Sequence, residues 1–197
     1  MLARILHDIA AHPRVYDQVQ LLAGAEHTRR RLAAIVTCTA AVSVLDLGGG
    51  TGLYRDLWPS ASHYVCLDID MIKLRGLLDK RLGSLALCAD AAQVPLVSAS
   101  VDVVMCTALS HHLPDWLLKQ AASESARVLK GGGTFIFMDA VWQPGRPASR
   151  LLWKHDRGSY PRSADYLRTV LSDHYRLVHE EQYSVFHEYL LCVGAKR

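Results

Sequence analysis

Val44-Leu45-Asp46-Leu47-Gly48-Gly49-Gly50-Thr51-Gly52 reads as a short apolar strand running into a glycine loop. Glycines belong directly after a buried strand where the backbone must turn sharply and let a ligand approach it closely. Gly48, Gly50 and Gly52 occupy alternate positions, and Asp46 stands two residues before the first, giving Asp-x-Gly-x-Gly-x-Gly. A dinucleotide fingerprint, Gly-x-Gly-x-x-Gly, started at Gly48 would need glycine where Leu53 stands; started at Gly50 it meets Tyr54 and Arg55. The Gly-Lys-Ser/Thr of a phosphate-gripping loop is also absent. The loop therefore offers room beside the backbone and no cation for a phosphate.

Downstream, strands and helices alternate. A helix through Tyr54, Leu57 and Trp58 is expected to follow the loop, then a strand His63-Tyr64-Val65-Cys66-Leu67 ending at Asp68. A helix over 71–80, a strand over 84–88, a strand over 101–106 and a helix over 116–129 come next, and Gly131-Gly132-Gly133 turns the chain into a strand over 134–138. Near-continuous apolar strands separated by helices indicate an α/β fold, a Rossmann-like three-layer sandwich with a mostly parallel sheet covered on both faces. Ser163 is placed to cap a helix over 163–171, and residues 175–185 and 188–195 read as a terminal antiparallel hairpin. Residues 2–35 read as one or two helices broken at Pro13, with a partial apolar stripe from Leu21 to Ile35.

The 197 residues, half of them apolar, suit a single domain over 1–197, with residues 1–40 as a helical cap and 141–162 as an insertion near the acceptor site. A net charge of +3 falls short of the basic footprint of a nucleic-acid binder, and Arg29-Arg30-Arg31 reads as a solvated helix face. The most apolar stretch, residues 85–109, is interrupted by Asp90, Pro95 and Asp102, so no membrane span is expected. No secretory signal is read at the N-terminus. Cys38, Cys66, Cys88, Cys106 and Cys192 are odd in number with no Cys-x-x-Cys pair, which suggests neither a disulfide framework nor a metal site and fits a cytoplasmic protein.

Two acids extend the signal. Asp68 lies 20 residues beyond Gly48 at a strand end, where a carboxylate can accept from both hydroxyls of a ribose. Asp70, two residues on, is expected to face solvent or cap the next helix. Asp90, after the third strand, can accept from the exocyclic amine of a purine.

Together these segments, with Val101-Asp102-Val103-Val104, His111-His112-Leu113-Pro114 and Arg127-Val128-Leu129-Lys130-Gly131-Gly132-Gly133, resemble the class I S-adenosylmethionine-dependent methyltransferases, in particular their small-molecule group with a minimal core. The resemblance covers about residues 43–139. It implies a seven-stranded sheet with its last strand inserted antiparallel, and S-adenosylmethionine as cofactor. That molecule carries a sulfonium and no phosphate, in keeping with a loop that lacks lysine. The resemblance places Asp46, Gly48, Gly49, Gly50 and Gly52 around the methionine part, Asp68 with Ile69 at the ribose, and Asp90 with Ala91 at the adenine. Thr107, at the end of the fourth strand, joins this set. Gly49 stands where members often carry Cys or Ala, a change expected to be tolerated. Pro13 to Gly24 looks like a lead-in helix of a kind that often covers the cofactor.

Methyl transfer from a sulfonium needs alignment and exclusion of water, plus a base when the acceptor must lose a proton. His111 and His112 follow the fourth strand at the edge where ligands of such sheets bind, and Asp139 ends the fifth; these three are the catalytic candidates. Adjacent side chains do not readily point at one ligand, so at most one histidine is expected to act. Related sugar- and natural-product-modifying enzymes resemble this chain in the His-His pair and the Asp, which favours O-methylation of a small-molecule acceptor. Trp142, Trp153 and Tyr160 are candidate acceptor-lining residues. Arg157 or Arg162 could hold an anionic group or a structural ion pair. No nucleic-acid partner is expected, and oligomeric state is open.

Overall fold

The computed structural model describes residues 17–18, 24–36, 42–59, 61, 63–80, 82–145, 153 and 160–197. Seven strands form one sheet: β1 (Ser43–Leu47), β2 (His63–Asp68), β3 (Leu85–Cys88), β4 (Val101–Thr107), β5 (Leu129–Val141), β6 (Tyr175–Ser184) and β7 (Glu188–Lys196). Their order is β3-β2-β1-β4-β5-β7-β6. The first five are parallel, and β7 is inserted antiparallel to both β5 and β6. This matches the expected Rossmann-like three-layer sandwich. Among the described residues the helices are α1 (Ala25–Ile35), α2 (Met71–Asp79), α3 (Asp115–Val128) and α4 (Ala164–Ser172). None of them is long and apolar enough to cross a membrane.

The strands alternate as pleating requires. Leu45, Leu47, Val104, Cys106, Phe135 and Phe137 meet α3 and α4 through Leu118, Ala121, Ala122, Leu167 and Leu171. Their neighbours Val44, Val103, Met105, Ile136 and Met138 meet α1 and α2 through Leu32, Leu74 and Leu77. Burial on both faces explains the near-continuous apolar runs. On the first face, Tyr175 is fully buried and stacks on Phe135 with centroids 4.1 Å apart. Gly194 on β7 leaves the space that Tyr175 fills. The Tyr175 hydroxyl lies 2.7 Å from Ser125 Oγ, which itself donates to the Ala122 carbonyl.

Two expectations are corrected. The glycine loop runs into turns and a single 3-10 turn, Arg55–Leu57, in place of a longer helix. The buried Arg55 guanidinium donates to the Trp58 carbonyl (2.6 Å), and Pro59 disfavours helical geometry at Trp58. The fifth strand begins at Leu129, directly after α3, and carries the three glycines within it. Val101 pairs with Leu129 and Val103 with Thr134, so the glycine segment swells outward as a bulge. A Cβ at Gly131 or Gly132 would meet nothing within 4 Å. The turn was placed one step too late in the chain.

Of the cysteines described, Cys66, Cys106 and Cys192 are buried thiols and Cys88 is exposed; Cys38 lies outside the described residues. The helix expected over residues 2–35 is observed from Ala25; Pro13 and its surroundings lie outside the described residues.

Replacing Tyr175 with Phe removes one buried hydrogen bond and is expected to lower the unfolding free energy by about 1 kcal/mol. Tyr175→Ala opens a cavity against Phe135 and should cost roughly 4 kcal/mol. Urea titrations of the two variants against the parent measure both.

Candidate functional site

The sheet order reverses between β1 and β4, and a crevice at such a switch point, beyond the carboxyl ends of the strands, is where open α/β sheets take ligands. The glycine loop leaves β1 at that edge. Gly48, Gly50 and Gly52 have φ of 74°, 55° and 65°, left-handed conformations that a side chain would strain. Gly48 and Gly49 both donate to the Leu67 carbonyl (2.7 and 3.2 Å), which folds the loop back over β2.

Asp46 sits beneath the loop on the α1–α2 face and is essentially unexposed. One carboxylate oxygen accepts from the Tyr64 hydroxyl, and the other has no hydrogen-bond partner. Burial pushes Asp46 up to about 7; the Tyr64 bond opposes that rise and nearby Asp68 adds to it. A Cβ on Gly49 would overlap this carboxylate and come within 2.7 Å of Cys66 Sγ. Glycine fits this position, as expected, and Asp46 and Cys66 leave no room here for a side chain.

Asp68 is buried at the end of β2. Its Oδ2 accepts from Gly50 N (2.9 Å) and its Oδ1 from Asp70 N (2.8 Å), which locks the carboxylate to the loop. Asp70 caps α2, accepting from Ile72 N and Lys73 N, one of the two outcomes anticipated for it. Beside Asp68, Ile69 is 74% exposed, an apolar surface at the crevice. Asp90 follows β3 and accepts from Ala92 N (2.8 Å) in a tight turn, while Ala91 is buried behind it. Thr107 closes β4 and is buried.

A clasp joins the N-terminal segment to this loop. Lys80 donates to the Thr51 carbonyl and pairs with Asp17, both at 2.8 Å, and Thr51 Oγ1 donates to the same carboxylate (2.5 Å). No local pattern points Asp17 toward residue 51, 34 positions away.

On the other side of the switch point, β4 ends in Thr107, and Ala108 adopts a left-handed φ of 51°. For a non-glycine residue that conformation costs about 1 kcal/mol. It throws the chain into a 3-10 turn, Ser110–His112, which faces the end of β5. Asp139 there has no exposed surface. Its Oδ2 accepts from Ser110 N and Ser110 Oγ (2.6 Å each) and from His111 N (3.3 Å). Its Oδ1 accepts from Ala140 N (2.7 Å) and lies 2.5 Å from His111 Nδ1. Burial alone would raise Asp139, but the charge and hydrogen bond of His111, with Ser110 and Ala140, hold it below the usual carboxylate range. An ionised Asp139 keeps the His111 proton on Nδ1, so Nε2 is the basic nitrogen. His112 is exposed, its ring centroid 4.1 Å from that of His111. The structure thus separates the pair.

Arg162 fixes this turn from outside. Its guanidinium donates to the carbonyls of Ser110 (2.7 Å), Leu113 (2.5 Å) and Tyr160 (3.3 Å) and pairs with Asp115 (2.7 Å). Every nitrogen is engaged, so Arg162 is a structural brace, and the anion-holding alternative is set aside; Arg157 lies outside the described residues. Tyr160 N donates to the His111 carbonyl (3.1 Å) and Trp142 N to the Arg162 carbonyl (2.7 Å). Of the three anticipated aromatics, Trp153 stands edge-on to His111 with centroids 5.9 Å apart, and meets His187 from the β6–β7 turn at 4.9 Å. Sequence patterning missed Tyr64 and His187, because each acts through partners brought near by the fold, whereas Arg162 takes the structural of the two roles open to it.

Comparison with known proteins agrees with this geometry. A family model described as a methyltransferase domain matches residues 45–137. A protein of Mycobacterium sp. (strain KMS), named an uncharacterized methyltransferase, is 29% identical over 112 residues, 56% of this chain and 43% of that protein. The malonyl-[acyl-carrier protein] O-methyltransferase of Herminiimonas arsenicoxydans is 34% identical over 130 residues, 63% of this chain and 47% of that protein. The chain thus spans about half the length of the curated relatives it matches. The magnesium protoporphyrin IX methyltransferase of Synechocystis PCC 6803, solved with bound S-adenosylhomocysteine, shares the fold at a TM-score of 0.73. It is 17% identical, with 88% of this chain and 84% of that chain covered. Through the methyltransferase-domain match over residues 45–137 and the shared fold, the chain is similar to the class I S-adenosylmethionine-dependent methyltransferases. Its residues fit that family's cofactor: a glycine cradle, a buried carboxylate packed against it with one oxygen left unpartnered, and a second buried carboxylate at its side suit a cationic ligand bearing a ribose.

Gly49→Ala is expected to destabilise the domain by about 2 kcal/mol through overpacking against Asp46 and Cys66, read as a lowered urea midpoint. Because Asp46 binds a proton more tightly folded than unfolded, its contribution is full at low pH. It is lost as pH rises from about 4 through about 7. The cofactor-free protein should melt several degrees lower at pH 8 than at pH 5, and Asp46→Asn should flatten that difference.

Proposed function

We propose that this domain transfers a methyl group from S-adenosylmethionine to an oxygen of a small-molecule acceptor, with His111 as general base and Asp139 as the residue that orients it. The observation that carries the reading is the His111–Asp139 pair at the switch-point edge of the sheet. Bound S-adenosylmethionine supplies a methyl group already activated on a sulfonium.

The chain's own residues divide the remaining work. The loop from Gly48 to Gly52, with Asp46, Asp68, Ile69, Asp90, Ala91 and Thr107, holds the cofactor in the crevice. His111 takes the acceptor's proton at Nε2, and the resulting imidazolium is stabilised by the ionised Asp139. Asp139 itself has no exposed surface and five donors around it, so it positions His111 and does not meet the acceptor. His112, exposed, is the weaker candidate for the base. A base is needed for a hydroxyl acceptor, which favours O-methylation, as does the relative named an O-methyltransferase. We further propose that residues 1–40 cover the cofactor, a reading supported by the Asp17 clasp on Thr51, and that residues 141–162 line the acceptor, supported by Trp153 beside His111.

The test is release of S-adenosylhomocysteine across a panel of hydroxylated small acceptors. His111→Ala should lower turnover by about a hundredfold or more while leaving cofactor affinity unchanged, and His112→Ala should change turnover less than about threefold. Undiminished turnover in His111→Ala would overturn the assignment of the base.

A further inference from the structure

Buried carboxylates in this fold are satisfied in different ways. Asp139 collects five donors and Asp68 two backbone N–H groups. Asp46 has the Tyr64 hydroxyl alone, and its other oxygen meets no donor. An isolated buried charge is costly, and such a group either finds a counter-charge or takes up a proton.

Among the described residues, the groups around Asp46 supply no counter-charge. From β2 it faces Tyr64 and Cys66, with Asp68 near enough to raise it, and from β4 its neighbour in the sheet is the apolar Met105; Cys106 lies on the opposite face. Burial, with Asp46 nearby, keeps both Cys66 and Cys106 as neutral thiols. Arg55 lies over the Tyr64 ring, 4.8 Å from its centroid, and spends its donors on Trp58 and Ser84. Lys80, from the end of α2, is bound to Asp17 and Thr51, and Lys73 runs beside Gly50 on the other side of the loop. Gly49 of the loop packs directly against the carboxylate, so close that a side chain there would overlap it.

We infer that Asp46 is a proton-linked counter-ion for the cationic methionine part of the cofactor: a neutral acid in the cofactor-free domain, it ionises when positive charge arrives above the loop. The Oδ–H bond breaks, the proton leaves to solvent, and the carboxylate then faces the ligand's cation through the Gly49 backbone, still bonded to Tyr64. Burial sets this group near 7, so the exchange falls in the neutral range. The inference rests on the cofactor assignment and adds a proton to its binding equilibrium.

Titration calorimetry of the whole chain with S-adenosylmethionine, repeated in buffers of different ionisation enthalpy, counts that proton. Relative to Asp46→Asn, which cancels any proton exchanged by the ligand's own amine, the parent should release more protons at pH 6 than at pH 7, and fewer still at pH 8. The parent's affinity should fall about tenfold from pH 8 to pH 6 beyond any change in the variant. Tyr64→Phe keeps the carboxylate and removes its donor, so its release should extend to higher pH. Equal proton counts in parent and Asp46→Asn, with both binding, would overturn the inference and leave the cofactor assignment standing. No binding by the folded parent at any pH would overturn both.

Discussion

The hydrogen bonds that converge on the buried Asp139 carboxylate organise the β4–β5 side of the switch point. β5 delivers an ionised group to the edge of the sheet, and the fold must then supply donors there. Ser110 and His111 supply them, which fixes the turn after β4 and sets the orientation of the imidazole. Arg162 closes the arrangement from outside by binding the carbonyls that the same turn leaves unpaired. The left-handed Ala108 is the local strain that delivers the chain into this turn.

Across the switch point the logic reverses. Asp46 is buried just as deeply, on the opposite face of the sheet, yet it is left underbonded beneath a loop that has shed its side chains. One carboxylate therefore serves as a fixed scaffold and the other as a site waiting for positive charge. The two lie on adjoining sides of one crevice because β1 and β4 are neighbours and β5 follows β4. Position in the sheet order, more than any local motif, brings the glycine loop and the His111–Asp139 pair together.

Strand periodicity and the glycine spacing made most of this architecture legible in advance. β1, β2 and β4, the helix capped by Ser163 and the antiparallel ending were all readable, because two-sided burial and turn chemistry act within a few residues. The triple glycine was misread as a turn, since a bulge inside a strand and a turn before it use the same residues. In the site, the glycines and Asp68 follow from local spacing. The split between His111 and His112 does not: it depends on Asp139, 28 residues away, and on Arg162 beyond that. Gly49 shows the same limit, since its necessity comes from the carboxylate and thiol packed under it.

The central claim is that the glycine crevice and the His111–Asp139 pair form one site. A crystal structure of the chain with S-adenosylhomocysteine bound tests it most directly. The account predicts the adenosine alongside Asp68 and Asp90, with the thioether sulfur facing the His111 imidazole across a gap that admits one acceptor oxygen. A ligand bound away from the glycine loop, or a sulfur screened from His111 by intervening protein, would contradict it.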